Sequence, residues 1–482
     1  MSLDDKTQRR DEATRSTASL ARDNEVERQL TRRLLWKLDV RVLPSLALLV
    51  LCSLLDRASV GNARLYNLES DLHMTDHQYN QGLAVFYATY IASDIPSNLV
   101  IKRIRPRIWL PFLAFSWGII SMSFGFIQNF AGFVTVRAFL GLAEGGLLPG
   151  MILYMSGIYT REELVLRIGV FNTAASLSGA FGGLLARGII QMGHMGGLSP
   201  WRWIFVIEGL FTIVAALTAF LILPGRLSSA RFLTSEEKEL AIRRHLDQGS
   251  GSSNNEDEEK FSWGEVARGI FNIQTWLTAS ADFAILTGMY SFSIFLPTII
   301  AGFGYTANEA QLWSVIPYAV AAVVTLFVAF LSDRLRLRGV IMLFTLVLAI
   351  IGYAGIANTR DVHVKYGMTF LMASGVYSSI PPVLGWLANN SAGHYKRATC
   401  SAAQVAIANC GGFVAMFAYP VRQGPRYKEG HTIVLGLLCA AWVLTLLNVL
   451  YCVKVNRDKA RGKFEWYRGC GDDRYPSFKL VL

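Results

Sequence analysis

Twelve runs of apolar residues, each long enough to cross the roughly 30 Å hydrocarbon core of a bilayer, dominate this chain of 482 residues. They lie near 40–59, 79–101, 108–127, 130–155, 166–190 and 201–223, then near 275–301, 311–331, 338–357, 365–389, 397–420 and 432–453. In hydrocarbon every backbone N–H and C=O must be bonded internally, so runs of this kind read as helices. The expected fold is an all-α membrane protein with twelve transmembrane helices in two six-helix bundles. The boundaries follow: an N-tail over 1–39, bundles over 40–223 and 274–453, a linker over 224–273 and a C-tail over 454–482.

Composition excludes the obvious rivals. With 52% hydrophobic and 17% charged residues, the chain is too apolar for a soluble protein of this length. The net charge of +11 does not mark a nucleic-acid binder, because the basic residues sit in short loops and tails between apolar runs. The six cysteines have no metal-ligand spacing and offer no exposed disulfide. No short apolar core precedes the first span, so that span is expected to direct insertion. No G-x-x-x-x-G-K-[ST] run is present, which argues against an ATP-driven pump. No cofactor or metal is expected, and no nucleophile–base set suggests an enzyme.

Orientation follows from the short loops. Lys102, Arg103, Arg105 and Arg107 follow span two, Arg334, Arg336 and Arg338 follow span eight, and Lys396 and Arg397 follow span ten. The positive-inside bias then places both termini and the linker in the cytoplasm. Arg422, Arg426 and Lys428 dissent, on the predicted outer side. Within the linker, LTSEEKELAIRRHL carries an N-cap at Thr234 or Ser235 and predicts a short surface helix. The run GSGSSNNEDEE after it reads as flexible.

Charges inside spans point to function, because even the forgiving insertion scale sets ~2.5–3.5 kcal/mol against a central charge. In span four Arg137 and Glu144 are seven residues apart and fall on nearly one face, extended by Gly141, Gly145 and Leu148. That face reads as the wall of a polar, substrate-handling cavity. Arg137 would bind an anion through its donor fork and Glu144 would carry the coupling proton. The other reading is an Arg–Glu pair that locks span four to a neighbour. Arg57, after Asp56 in span one, either draws the anion inward or snorkels to headgroups. Asp94, before Pro96 in span two, is a second proton site or a partner of the 102–107 turn. Arg187 adds positive charge to the outer vestibule or snorkels; Glu208 could pair with it or with Arg137. Ala175, Gly179 and Gly183 give span five a small face for close helix contact. In span seven Asp282 is the only acid well inside a C-half span, and Pro381-Pro382 should break span ten.

Two basic turns suggest an internal repeat. Ala329-Phe-Leu-Ser-Asp333-Arg334-Leu-Arg336-Leu-Arg338 resembles the loop signature of the major facilitator superfamily, and Lys102–Arg107 resembles it without the aspartate. Further stretches are similar to the fungal anion:cation symporter branch of that superfamily, which includes allantoate, nicotinate, pantothenate and biotin permeases. They include LDRASVGNARL, FYATYIASDIPSNLVIKR, RAFLGLAEGGLLPGM, WRWIFVIEG, FLPTII, WLANNSAGHYKRA and YPVRQGPRYKEGH. The resemblance implies the major facilitator fold, built from inverted three-helix repeats. It implies a plasma-membrane carrier, expected to be monomeric, that takes up a small organic anion with protons. It also implies that spans one, four, seven and ten line the cavity, with Tyr290 and Tyr377 against a planar carboxylate and Asp333, Arg334 and Arg338 as a gating latch. An exporter on the same scaffold and a non-transporting nutrient sensor remain as rivals. Span five lacks the proline of the drug-antiporter signature, and both tails are short.

Overall fold

A computed structural model describes the backbone of residues 3–482 apart from 194, 226, 228–229, 231, 248–262, 393, 425 and 468–472. The low-complexity run of the linker falls outside the described residues. Every regular element among the described residues is helical. Spans one to six are Leu3–Arg64, Asp76–Arg103, Pro106–Phe124, Phe130–Glu144 with Leu147–Ser156, Arg161–Ile190 and Pro200–Ile222. Spans seven to twelve are Ile273–Ala301, Ala307–Leu335, Arg338–Asn358, Val362–Asn390, His394–Asn409 with Gly411–Phe417, and Lys428–Ala460. Ten of these are long and apolar enough to cross a membrane among the described residues. Spans two and five, at 28 and 30 residues, have ample length at about 1.5 Å per residue. The chain adopts the all-α, twelve-helix architecture that its apolar runs predict.

Glycine sets the closest helix approaches. A Cβ on Gly141 or Gly145 would stand 2.3 Å from the Phe86 or Tyr90 carbonyl oxygen. Those glycines therefore press span four onto span two and do not line a cavity. Span four also breaks at Gly145 and Gly146, which leaves Glu144 as the last residue of its first segment. Span ten remains helical through Pro381-Pro382. The prolines withdraw two amide donors, yet packing on both sides holds the helix.

The two halves meet most tightly at the face opposite the tails. A Cβ on Gly61 of span one would lie 2.3 Å from the Ile294 carbonyl oxygen of span seven. A Cβ on Gly179 of span five would lie 2.4 Å from the Tyr318 ring of span eight, and one on Gly183 would meet Gln311 and Ser314. Gly412 of span eleven packs in the same way on Tyr87 of span two. Gly179 and Gly183 of the small face of span five thus seal the two halves together, while the side chain of Ala175 falls outside the described residues.

At the tail face the linker helix Ser235–Asp247 is capped by Thr234, whose hydroxyl accepts from Glu237 N–H while Thr234 N–H donates to Glu237. Lys37 holds Glu237 at 2.7 Å, and Arg244 pairs with Glu163 at the start of span five. Burial alone pushes both carboxyls up. The Arg244 guanidinium outweighs it at Glu163, and Lys37 with the Thr234 N–H outweighs it at Glu237, so both end below the usual range. A depressed carboxyl contributes stability that is complete above its free pKa, about 4.3, and is lost as pH falls through the folded value. A nitroxide at residue 239 should therefore stay immobile at pH 7 and gain motion below about pH 4, read by electron paramagnetic resonance. Separately, Gly145→Val should lower stability by about 1–3 kcal/mol through overpacking, measured by thermal unfolding in detergent.

Candidate functional site

The most buried ion pair among the described residues joins span one to span four. Arg57 donates through Nε at 2.8 Å and Nη2 at 2.7 Å to Oε1 of Glu144. Ser53, one turn earlier on the same face of span one, donates its hydroxyl to that oxygen. The other carboxyl oxygen, Oε2, is buried without a partner. The Arg57 guanidinium lies 4.7 Å from the Tyr90 ring centroid and 5.4 Å from that of Phe86, a cation–π setting that offsets part of its desolvation. Its Nη1 reaches the Tyr290 hydroxyl of span seven at 3.5 Å, the limit of a hydrogen bond. Tyr290 in turn donates to Asn409 Oδ1 of span eleven at 2.8 Å. A polar chain thus runs Ser53–Glu144–Arg57–Tyr290–Asn409 from one half into the other.

Arg57 and Tyr290 also face a hollow between the halves, with Tyr87, Ser178, Met289, Ser293 and Tyr377. Its volume is about 10 Å³, roughly room for one water. One cation, Arg57, and three tyrosines stand on its wall. Tyr377 is set edge-on to Phe292 and Tyr318, at centroid distances of 6.3 and 5.9 Å. A larger concavity of about 1170 Å³ lies along Glu27–Asp39 and Arg167, at the tail face and remote from this pair.

The other charged candidates take separate places. Arg137 is buried in a cage of Phe86, Phe124 and Phe133, with its carbon Cζ 5.0–6.0 Å from their centroids. Its Nε and Nη2 have no hydrogen-bond partner. It does not meet Glu144, although the two share a helix face. Seven residues of helix set them about 10 Å apart along the axis, and Glu144 is taken by Arg57 of span one. Asp56 points into the N half, where Trp117 Nε1 and the Ser121 hydroxyl each donate to it at 2.7 Å. Glu208 accepts from Ser59 at 2.6 Å and bonds neither Arg187 nor Arg137. Arg187 is half-buried at the far end of span five, and Asp94 is half-buried one turn beyond Tyr90. The side chains of Lys102 and Arg103, candidate partners of Asp94, fall outside the described residues. At the tail face Asp333 holds Arg338 at 2.9 Å, and Arg338 lies so close to span ten that a Cβ on Gly385 would collide with its guanidinium. Arg334 is exposed beside them. Asp282 accepts from Gln404 Nε2 at 2.8 Å, with its other oxygen buried and unbonded.

A family model described as Major Facilitator Superfamily matches residues 46–416. The chain belongs to the Major Facilitator Superfamily. An uncharacterized transporter of Schizosaccharomyces pombe is 35% identical over 431 residues, covering 89% of this chain and 85% of that protein. The high-affinity nicotinic acid transporter of Saccharomyces cerevisiae is 29% identical over 461 residues, covering 94% and 85%. Among solved structures, the D-xylose–proton symporter superposes with a TM-score of 0.64 at 13% identity, covering 85% of this chain and 97% of that one. The protein is thus a membrane transporter of this superfamily, with a small molecule as its cargo.

Sequence reasoning missed two members of the facilitator's central chain, Ser53 and Asn409, and Tyr87 on the wall of the hollow. Ser53 stands four residues before Arg57, a spacing that flags it as a facing donor. Tyr87 belongs to an aromatic group with Phe86 and Tyr90 in span two. Asn409 sits at the break of span eleven and carries no spacing signal toward Tyr290, 119 residues away.

Removing one member of a buried pair strands the other. Arg57→Ala or Glu144→Ala should each cost about 3–5 kcal/mol, and the double variant less than their sum. Thermal unfolding of the four purified proteins checks this.

Proposed function

We propose that this facilitator takes up a small organic carboxylate together with a proton, by alternating access. The single observation that carries the reading is the buried Arg57–Glu144 pair, whose arginine stands on the wall of the hollow between the halves. Arg57 is the one cation there, and its planar fork suits a carboxylate. An incoming substrate carboxylate takes the two N–H groups that Glu144 now holds. Glu144, left beside Ser53 without a counter-charge, is stabilised by taking a proton. Tyr290, Tyr87 and Tyr377 supply ring faces and hydroxyls for a small planar acid.

Charge balance then imposes coupling. The empty site holds one cation and one anion and is neutral. The site with substrate and proton holds Arg57 and the substrate anion beside a neutral Glu144, and is neutral again. Substrate alone would close with one net negative charge, and a proton alone with one net positive charge. Either imbalance costs at least ~2.5–3.5 kcal/mol in a closing membrane site. The carrier therefore reorients empty or doubly loaded, which makes the cycle a one-to-one, electroneutral symport. Arg137, caged nearby, adds positive potential without touching the substrate. Asp94 is a further proton-accepting group on the path from the hollow to the tail face, and Asp333, Arg334 and Arg338 form the latch at that face.

The similarity to the nicotinic acid transporter supports a nicotinate-like substrate, the fungal anion:cation symporter branch and uptake in place of export. The positive-inside bias supports cytoplasmic termini, and the plasma membrane is the natural site for such uptake. The test is uptake of labelled nicotinate, allantoate, pantothenate and biotin in cells lacking their own carboxylate permeases. At least one should be accumulated, faster at acidic external pH. Arg57→Ala should abolish that uptake. Glu144→Gln should keep substrate exchange between loaded compartments while net uptake falls at least tenfold, because the empty site then carries a charge. Net uptake by Glu144→Gln with unchanged pH dependence would remove Glu144 from the cycle.

A further inference from the structure

The tail face of the C half carries a groove that holds residues 473–482 of this chain by their backbone, turned over 473–477 and extended over 478–482. Two asparagines on different spans do the reading. Asn390, at the end of span ten, accepts from Val481 N–H at 2.7 Å and donates to the Val481 carbonyl at 3.0 Å. Asn456, near the end of span twelve, accepts from Leu480 N–H at 2.9 Å and donates to the Leu480 carbonyl at 2.8 Å. Each side-chain amide therefore imitates a neighbouring strand, and two successive residues of one segment are held by two spans. Trp386 Nε1 adds a bond to the Val481 carbonyl at 2.8 Å.

Charged groups complete the groove. Lys459 donates to the carbonyls of Asp473, Tyr475 and Phe478, at 2.5, 3.3 and 2.7 Å. Lys396, at the start of span eleven, holds the Asp473 carboxylate at 2.7 Å. The segment reads Phe478-Lys479-Leu480-Val481-Leu482, with Leu480 buried, Phe478 and Leu482 packed against the core, and Lys479 exposed. That alternation is the period of an extended strand, and backbone bonds with alternate side-chain pockets are the terms of strand-type peptide recognition.

The groove lies at the tail-face end of span ten. Trp386 and Asn390 belong to the short part of span ten beyond Pro381-Pro382, where two backbone donors are missing. The docked segment ties that part to span twelve and, through Lys396, to span eleven. In the structure it is docked while the opposite face is sealed by the contacts of Gly61, Gly179 and Gly183. Opening the opposite face requires the tail-face ends of the two halves to converge, and a span-ten end tied outward to span twelve opposes that.

We propose that residues 473–482 act as a clasp whose docking favours the conformer closed on the face opposite the tails, and that the groove is a binding site for an extended apolar peptide able to replace it. The clasp is independent of which substrate is carried and of how protons are coupled.

The test uses the full chain with Cys410, Cys439 and Cys470 replaced by Ser and a reporter Ser314→Cys, which is buried against span five while the opposite face is closed. Alkylation of the reporter is followed in purified, monodisperse protein. Ending the chain after Asp472 should raise the rate about fivefold, the effect of losing one hydrogen bond net of water. A synthetic peptide of residues 473–482, added in trans, should restore the slow rate, and a scrambled peptide should not. Val481→Pro, which deletes the N–H read by Asn390 without touching any span, should give part of the increase and covers the case in which the shortened chain does not fold. Rates unchanged by Val481→Pro and by truncation, or a truncated chain indifferent to the peptide, overturn the proposal.

Discussion

A guanidinium and a carboxylate held together out of water are the constraint on which the centre of this molecule is arranged. Leaving either Arg57 or Glu144 without the other would strand a buried charge, at a cost of about 3–5 kcal/mol. The pair therefore fixes span one against span four, and Ser53 steers the carboxylate oxygen that Arg57 uses. Phe86 and Tyr90 bring the faces of span two to the guanidinium. The glycines of span four permit that approach by letting its backbone lie against span two.

The same pair explains why so little else is needed at the site. Through Tyr290 and Asn409 the charge of Arg57 is communicated to the C half, and among the described residues no ion pair crosses between the halves. A weak link there, a single contact at 3.5 Å, suits a protein whose halves must separate on one side or the other. The strong interactions lie within each half or at the tail face, where movement is carried by whole segments. The other buried acids, Asp56, Glu208 and Asp282, are matched with neutral donors and kept off the cavity wall. They stiffen their own half.

Much of the fold was legible because its cause is local. A run of about twenty apolar residues has one stable arrangement in lipid, so the helices could be counted from the chain. The cap at Thr234 and the small face of span five were equally readable, since each depends on residues three or four apart. The centre was legible only in part. Arg57, Glu144, Tyr290 and Tyr377 were recognisable as costly or aromatic groups in spans that should face inward. Their pairing was not recognisable: spacing along span four brought Arg137 and Glu144 to one face but left them about 10 Å apart along it, and span one supplied the partner.

What the sequence determined by itself was the class of molecule: membrane-spanning, all-helical, divided in two, with charges inside spans that had to be handled in protein. Those follow from the solvent, which acts on each segment independently. Only the tertiary structure decided which charge meets which. The partners lie 87 and 119 residues apart, the glycines of span four turned out to seat a neighbouring helix, and the final ten residues folded back onto two asparagines 91 and 24 positions earlier. Those choices depend on how helices cross and lean, a property of the assembled bundle that no single stretch of chain contains.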